Sequence, residues 1–137
     1  MQTDQTAVTA RPPLGKAIVR GPSMVPTLRD GDRLLVRYGA PVRPGDIVVA
    51  RHPFQQDLLL VKRAVERREG GWWLLGDNPY AESDSRLFGT VPDELVLARA
   101  IARYRPRSGY SSTLAWLLGS VRPVRGDRGL SRRLRAR

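Results

Sequence analysis

The stretch Leu58-Leu59-Leu60-Val61-Lys62-Arg63-Ala64-Val65 decides what kind of fold this sequence makes. It reads as a long strand, with Leu58, Leu60, Lys62 and Ala64 on one face and Leu59, Val61, Arg63 and Val65 on the other. Further stretches of the same kind lie on both sides: Lys16 to Arg20, Arg33 to Arg37, Ile47 to Ala50, Trp72 to Leu75 and Leu95 to Tyr104. The continuous run Ile47-Val48-Val49-Ala50 suits a strand buried on both faces. Turn chemistry separates these runs at Asp30-Gly31-Asp32, Pro41 to Asp46, Arg67 to Gly71 and Val91 to Glu94. Gly76 to Phe88 has no periodic pattern and reads as a long loop, a length that is more often functional than filler. With 13 glycines, 11 prolines and no long amphipathic helix, the chain predicts a mainly-β domain with a folded or barrel-like sheet.

Lys62 stands out on that strand. The chain has two lysines, Lys16 and Lys62, against 22 arginines, so arginine was used wherever a positive charge alone was wanted. An arginine keeps its proton in a protein, whereas a desolvated lysine gives it up. An amine among aliphatic neighbours on a buried face has its neutral form favoured, and a neutral amine is a general base. A lysine snorkelling from a strand edge is the other reading of the same pattern. His52 is the rival base, in a Ser/His/Asp arrangement with Asp46 or Asp57, but its place beside Pro53 favours a turn histidine.

The partner for such a base is Ser23, in Gly21-Pro22-Ser23-Met24-Val25-Pro26-Thr27-Leu28. Pro22 and Pro26 each fix their own φ and restrict the residue before them, and Gly21 accepts a positive φ. A small hydroxyl residue is thus held on an over-determined turn, as a nucleophile beside an oxyanion hole requires. An ordinary turn serine fits the same eight residues.

Composition excludes several alternatives. The chain has 137 residues, enough for one domain with a modest core, and no cysteine, so disulfide scaffolds and thiolate chemistry are out. A single histidine excludes a multi-histidine metal site, and no cofactor is expected. The acidic residues Asp77, Glu82 and Asp84 lack the spacing of a cation site. The formal charge of +11 points towards anionic partners, but the stretch from Arg122 to Arg137 holds seven arginines and one aspartate, over half of the excess. A basic β-domain binding nucleic acid, with Trp72, Trp73 and Tyr104 as stacking surfaces, is the non-enzymatic alternative. No run reaches the ~20 apolar residues of a membrane span, and residues 1–13 carry no secretion-signal core, so a cytoplasmic protein is expected. The apolar run Thr113 to Leu118 is a candidate short helix, packed on the domain or resting with the basic tail on a membrane surface. The organisation expected is a flexible leader over 1–15, a catalytic domain over 16–106, and a C-terminal helix candidate with an arginine-rich tail over 107–137.

With Ser23 and Lys62 both in view, the chain resembles the signal peptidase I family (S26) of Ser-Lys proteases. The matching segments are GPSMVPTL around Ser23, RPGDIVV from Arg43 to Val49, LVKRAV around Lys62 and GDNPYAESDSRLFGTVP from Gly76 to Pro92. The resemblance implies a signal-peptidase- or repressor-like folded sheet, with Ser23 as acylating nucleophile and Lys62 as its base. It also implies a precursor polypeptide bound extended, like an added strand, with small side chains before the cut in pockets lined by Met24, Val25 and Leu58. Within the family the chain resembles the small proteases that mature nickel-containing superoxide dismutase by removing a leader; signal peptidase action on secreted preproteins is the alternative. Some family members carry a hydroxyl residue where this chain has Gly21, so the oxyanion hole is expected from backbone N–H groups at Ser23 and Gly21. A serine that supports the lysine in the family falls at Glu82 here, leaving Ser83 as the expected support; a carboxylate there would raise the lysine pKa. Asp84 and Arg86 are expected to pair and pin the loop beside the site. A self-cleaving repressor-type regulator ranks below these readings, because no Ala-Gly or Cys-Gly pair precedes Ser23.

Overall fold

A computed structural model of the chain describes residues 13–81, 83–106, 121–124, 126–127 and 134. Its strands are β1 (Leu14–Ile18), β2 (Arg33–Tyr38), β3 (Ile47–Arg51), β4 (Leu59–Arg68), β5 (Gly71–Leu75), β6 (Val91–Pro92), β7 (Val96–Tyr104) and β8 (Val121–Pro123). A single-turn helix, α1 (Ser85–Phe88), and a 3-10 turn over Asp93–Leu95 lie between the strands. All strand pairs are antiparallel, in the order β1-β2-β7-β3-β4-β5-β6. β8 pairs with the far end of β7, so the second edge of β7 serves β3 first and β8 afterwards. The fold is the mainly-β curled sheet that the sequence predicts.

β3 explains how one sheet makes two cores. Alternate residues point to opposite faces, and both faces are covered. Ile47 and Val49 join Val19, Met24, Leu28, Leu34, Val36, Ala98 and Ala100 in a first core. Val48 and Ala50 join Leu60, Ala64, Trp72, Leu74, Phe88, Val91 and Leu95 in a second. Met24 and Leu28 are completely buried, each worth about 1.5–3 kcal/mol of transfer free energy. They nail the turn carrying Ser23 to the first core.

Several boundaries differ from expectation. β1 begins at Leu14 and ends at Ile18: Val19 still donates to the Asp32 carbonyl in register, but its own carbonyl accepts from Gly31 instead of Asp32, which breaks the pairing. The last four residues of the long loop form α1, capped by Asp84. Val91–Pro92, expected as a turn, adds a short strand beside β5. The sheet also does not stop at residue 106. β8 pairs with β7, Val124 packs on the first core, and Leu134 is buried with Val65 and Leu75. The helix candidate Thr113 to Leu118, residues 1–12 of the expected leader and most of the arginine-rich tail lie outside the described residues. Among the described residues no helix is long and apolar enough to cross a membrane.

Candidate active site

The serine turn is held from three sides. Gly21 has φ +80°, a conformation glycine takes without strain, and its N–H donates to Asp30 Oδ1 at 2.8 Å. Within the turn, the Val25 N–H donates to the Pro22 carbonyl (3.1 Å) and the Leu28 N–H to that of Met24 (2.8 Å). The third side is the Gly76-Asp77-Asn78 segment. A Cβ on Gly76 would stand 2.5 Å from the Ser23 carbonyl oxygen, so only glycine lets the two backbones approach this closely. Asn78 closes the clamp: its N–H donates to the Ser23 carbonyl at 2.9 Å and its side-chain amide to the Pro22 carbonyl at 3.1 Å.

That segment is itself fixed by a buried network. Arg63, on the face of β4 opposite Lys62, donates from Nε and Nη2 to the two carboxylate oxygens of Asp77 (2.9 and 2.8 Å) and from Nη1 to the Gly45 carbonyl. Thr27 Oγ1 donates to Asp77 Oδ2 at 2.5 Å, tying the serine turn to the same carboxylate. A buried pair of this kind fixes geometry, and removing one partner strands the other charge.

Lys62 lies opposite Val48 in the β3–β4 ladder, at the edge of the second core, and is only 3 % exposed. Among the described residues its amine makes no hydrogen bond or ion pair. Burial pushes its pKa below the ordinary lysine value; the nearby Asp84 carboxylate opposes this and the Arg86 guanidinium adds to it. Asp84 is completely buried and its carboxylate is shared between Arg86 (3.0 and 2.9 Å) and the Gly76 N–H (3.0 Å). Burial alone would raise the Asp84 pKa, but the bonds from Arg86 and Gly76 outweigh it and hold the group ionised. Much of the field that would restore the charge on Lys62 is thereby spent on Arg86.

Ser23 and Lys62 line one cleft of about 630 Å³. Lys16 to Val19 form one wall, Leu58 to Val61 the other, and Tyr38, Val49 and Leu97 contribute from the sheet between. No hydrogen bond joins the serine hydroxyl to the lysine amine. The Ser23 N–H is engaged by none of the described residues, on a residue that lines the cleft.

The other expected site residues fall as follows. Ser83 lines the cleft and is exposed, Asp84 and Arg86 pair behind it, and Glu82 lies outside the described residues. Leu58 lines the cleft at 45 % exposure. Two substrate-pocket expectations are corrected: Met24 is a core residue with no exposed surface, and Val25 is exposed but not on the cleft wall. Gly21 is corrected as an oxyanion donor, since its N–H already serves Asp30. His52 is a turn former: its Nδ1 accepts from the Phe54 and Gln55 N–H groups, and Asp46 accepts from the Arg43 N–H. Asp77 and Asp84 are taken by arginines. As for stacking surfaces, Trp72 is buried in the second core and the Arg68 guanidinium sits 3.7 Å over Trp73. Sequence reasoning missed Arg63, Asp30 and Thr27. Only Arg63 left a signal, a charge on the face shared with Leu59, Val61 and Val65.

The chain matches the family model for S24-like peptidases over residues 2–87, a span containing Ser23, Lys62 and the Asp84–Arg86 pair. It is 32 % identical over 133 residues to the mitochondrial ATP-independent inner membrane protease subunit 1a of Arabidopsis thaliana, covering 77 % of this chain and 79 % of the relative. It is 30 % identical to mitochondrial inner membrane protease subunit 1 of Xenopus tropicalis (71 % and 73 % covered). The counterpart from Schizosaccharomyces pombe is 31 % identical (69 % and 75 %). A family match across well over half the chain, with relatives this similar along most of their own length, makes this protein a serine peptidase of the S24-like family.

Proposed function

We propose that the protein is a Ser-Lys endopeptidase that removes an N-terminal leader from a precursor polypeptide, with the precursor of nickel-containing superoxide dismutase as the substrate to test first. The observation that carries this reading is a buried lysine, unpaired among the described residues, lining the same cleft as a serine on a clamped turn. Its relatives' being inner membrane proteases agrees with cutting other polypeptides; the dismutase precursor rests on the sequence resemblance alone.

Substrate lies extended between the walls formed by β1 and β4. β1 ends the strand order, so among the described residues its outer edge is open to main-chain pairing. Ser23 Oγ attacks the scissile carbonyl as its proton passes to the neutral Lys62 amine, and the Ser23 N–H receives the oxyanion. The resulting ammonium gives that proton to the departing amine, leaving an acyl-enzyme. Water then attacks the ester, its proton again taken by Lys62, and Ser23 leaves with a proton returned.

The test is to incubate the purified protein with the dismutase precursor and read the new N-terminus by mass spectrometry. Ser23→Ala and Lys62→Arg are expected to remain folded and to lose cleavage, because arginine keeps the charge and cannot act as base. The rate rises with pH through a midpoint below the ordinary lysine value of 10.5, since only the neutral amine works. Full activity in Lys62→Arg sinks the proposal. Cleavage of secreted preproteins with the dismutase precursor left intact transfers it to signal-peptidase work.

A further inference from the structure

Resting on the Ser-Lys reading, we infer that Asn78 is a positioning residue: its side-chain amide holds the Pro22–Ser23 peptide so that the Ser23 N–H faces the developing oxyanion.

The Pro22 carbonyl and the Ser23 N–H belong to one planar trans peptide and point in opposite directions, so fixing one aims the other. Two donors fix the carbonyl: the Val25 N–H from within the turn and Asn78 Nδ2 from across the site, both at 3.1 Å. The orientation of the Asn78 amide is itself determined. The Tyr80 N–H donates to Asn78 Oδ1 at 3.0 Å, which leaves Nδ2 for Pro22. The main-chain N–H of Asn78 holds the next carbonyl, that of Ser23, at 2.9 Å. Both peptides that meet at the nucleophile are therefore gripped by one residue.

The dipoles also run in series, from the Tyr80 N–H through the Asn78 amide to the Pro22–Ser23 peptide. A carbonyl that accepts a hydrogen bond makes the N–H of its own peptide a better donor. The turn has little to fall back on, for Gly21 offers no side-chain donor and its N–H is bound to Asp30. The orientation of one peptide thus decides the strength of the hole, and Asn78 is the side chain that sets it.

The experiment uses the full chain, a peptide aldehyde ending in alanine, and the matching peptide alcohol, with affinities measured by calorimetry. Attack of Ser23 Oγ on the aldehyde makes a hemiacetal whose oxygen occupies the hole, whereas the alcohol fills the cleft without forming one. Asn78→Ala is expected to lower kcat and weaken the aldehyde by about tenfold or more, short of the 10²–10³ lost with a direct donor. Its affinity for the alcohol stays within twofold of wild type. Asn78→Asp, nearly isosteric but presenting oxygens to the Pro22 carbonyl, is expected to be at least as impaired; thermal unfolding of both variants reports that they fold. If Asn78→Asp retains wild-type aldehyde affinity, or if Asn78→Ala weakens aldehyde and alcohol alike, the inference is overturned and the Ser-Lys reading stands. If wild type binds the aldehyde no better than the alcohol, or Ser23→Ala keeps the preference, the Ser-Lys reading itself falls and takes this inference with it.

Discussion

Lys62 is an expensive residue. A buried amine gives up hydration, and here no described group replaces it with a hydrogen bond. Its depressed pKa has a stability consequence whose sign is fixed. The unfolded chain binds a proton up to the ordinary lysine value of 10.5 and the folded chain releases it earlier, so stability increases with pH across that window. Lys62→Met is therefore expected to raise the thermal midpoint at neutral pH, with a stability gain of about 0.5–2 kcal/mol. The gain should shrink as pH approaches the ordinary lysine value; an advantage constant with pH would point to packing alone. This residue was legible in the sequence because lysine is so rare in an arginine-rich chain. Asp30, Asp77 and Thr27 were not legible in their roles, since each takes its meaning from a partner brought close only by the fold, up to 50 positions away.

At the scale of elements, short apolar and β-branched runs between turn residues placed β2, β3, β4, β5 and β7 to within a few residues, because each buries at least one apolar face. α1 escaped because one turn of helix has no periodicity to read, and its formation depends on Asp84 capping it while also bonding Arg86 and the Gly76 N–H. β6 and β8 escaped because two or three residues beside a proline look like turns. The contact between the Gly76 segment and the serine turn gives a prediction at this scale. Gly76→Ala places a methyl against the Ser23 carbonyl, so one backbone must retreat. We expect kcat to fall at least tenfold, as happens when a reacting group is displaced by about 1 Å. Circular dichroism should show the sheet retained; undiminished turnover would mean that the segments do not need to touch.

For the molecule as a whole, the sheet is cross-tied by buried carboxylates. Asp32, at the end of the serine turn, is completely buried and accepts two bonds from Arg105, just past β7, at 2.8 and 2.9 Å. Burial pushes its pKa up, but Arg105 and the Arg29 N–H outweigh this and the net shift is downward, as for Asp84. Stability from both groups is thus fully present above the ordinary aspartate value of 3.8 and is lost as pH falls through their lower folded values. Asp32→Asn should unfold at lower temperature than wild type at pH 7, with the gap narrowing in acid; a gap that widened there would contradict the assignment.

The two-faced burial of β3 has a last consequence. Ser23 hangs from one hydrophobic mass through Met24 and Leu28, and Lys62 from the other through its neighbours Leu60 and Ala64. For the proposed dyad, the alignment of hydroxyl and amine is therefore a matter of how two hydrophobic masses, cross-tied by the Thr27–Asp77–Arg63 network, are mated, and slippage between them is expected to disarm it while the strands are still intact. On gentle warming or in dilute urea, turnover should fade well before the spectroscopic signature of the strands does.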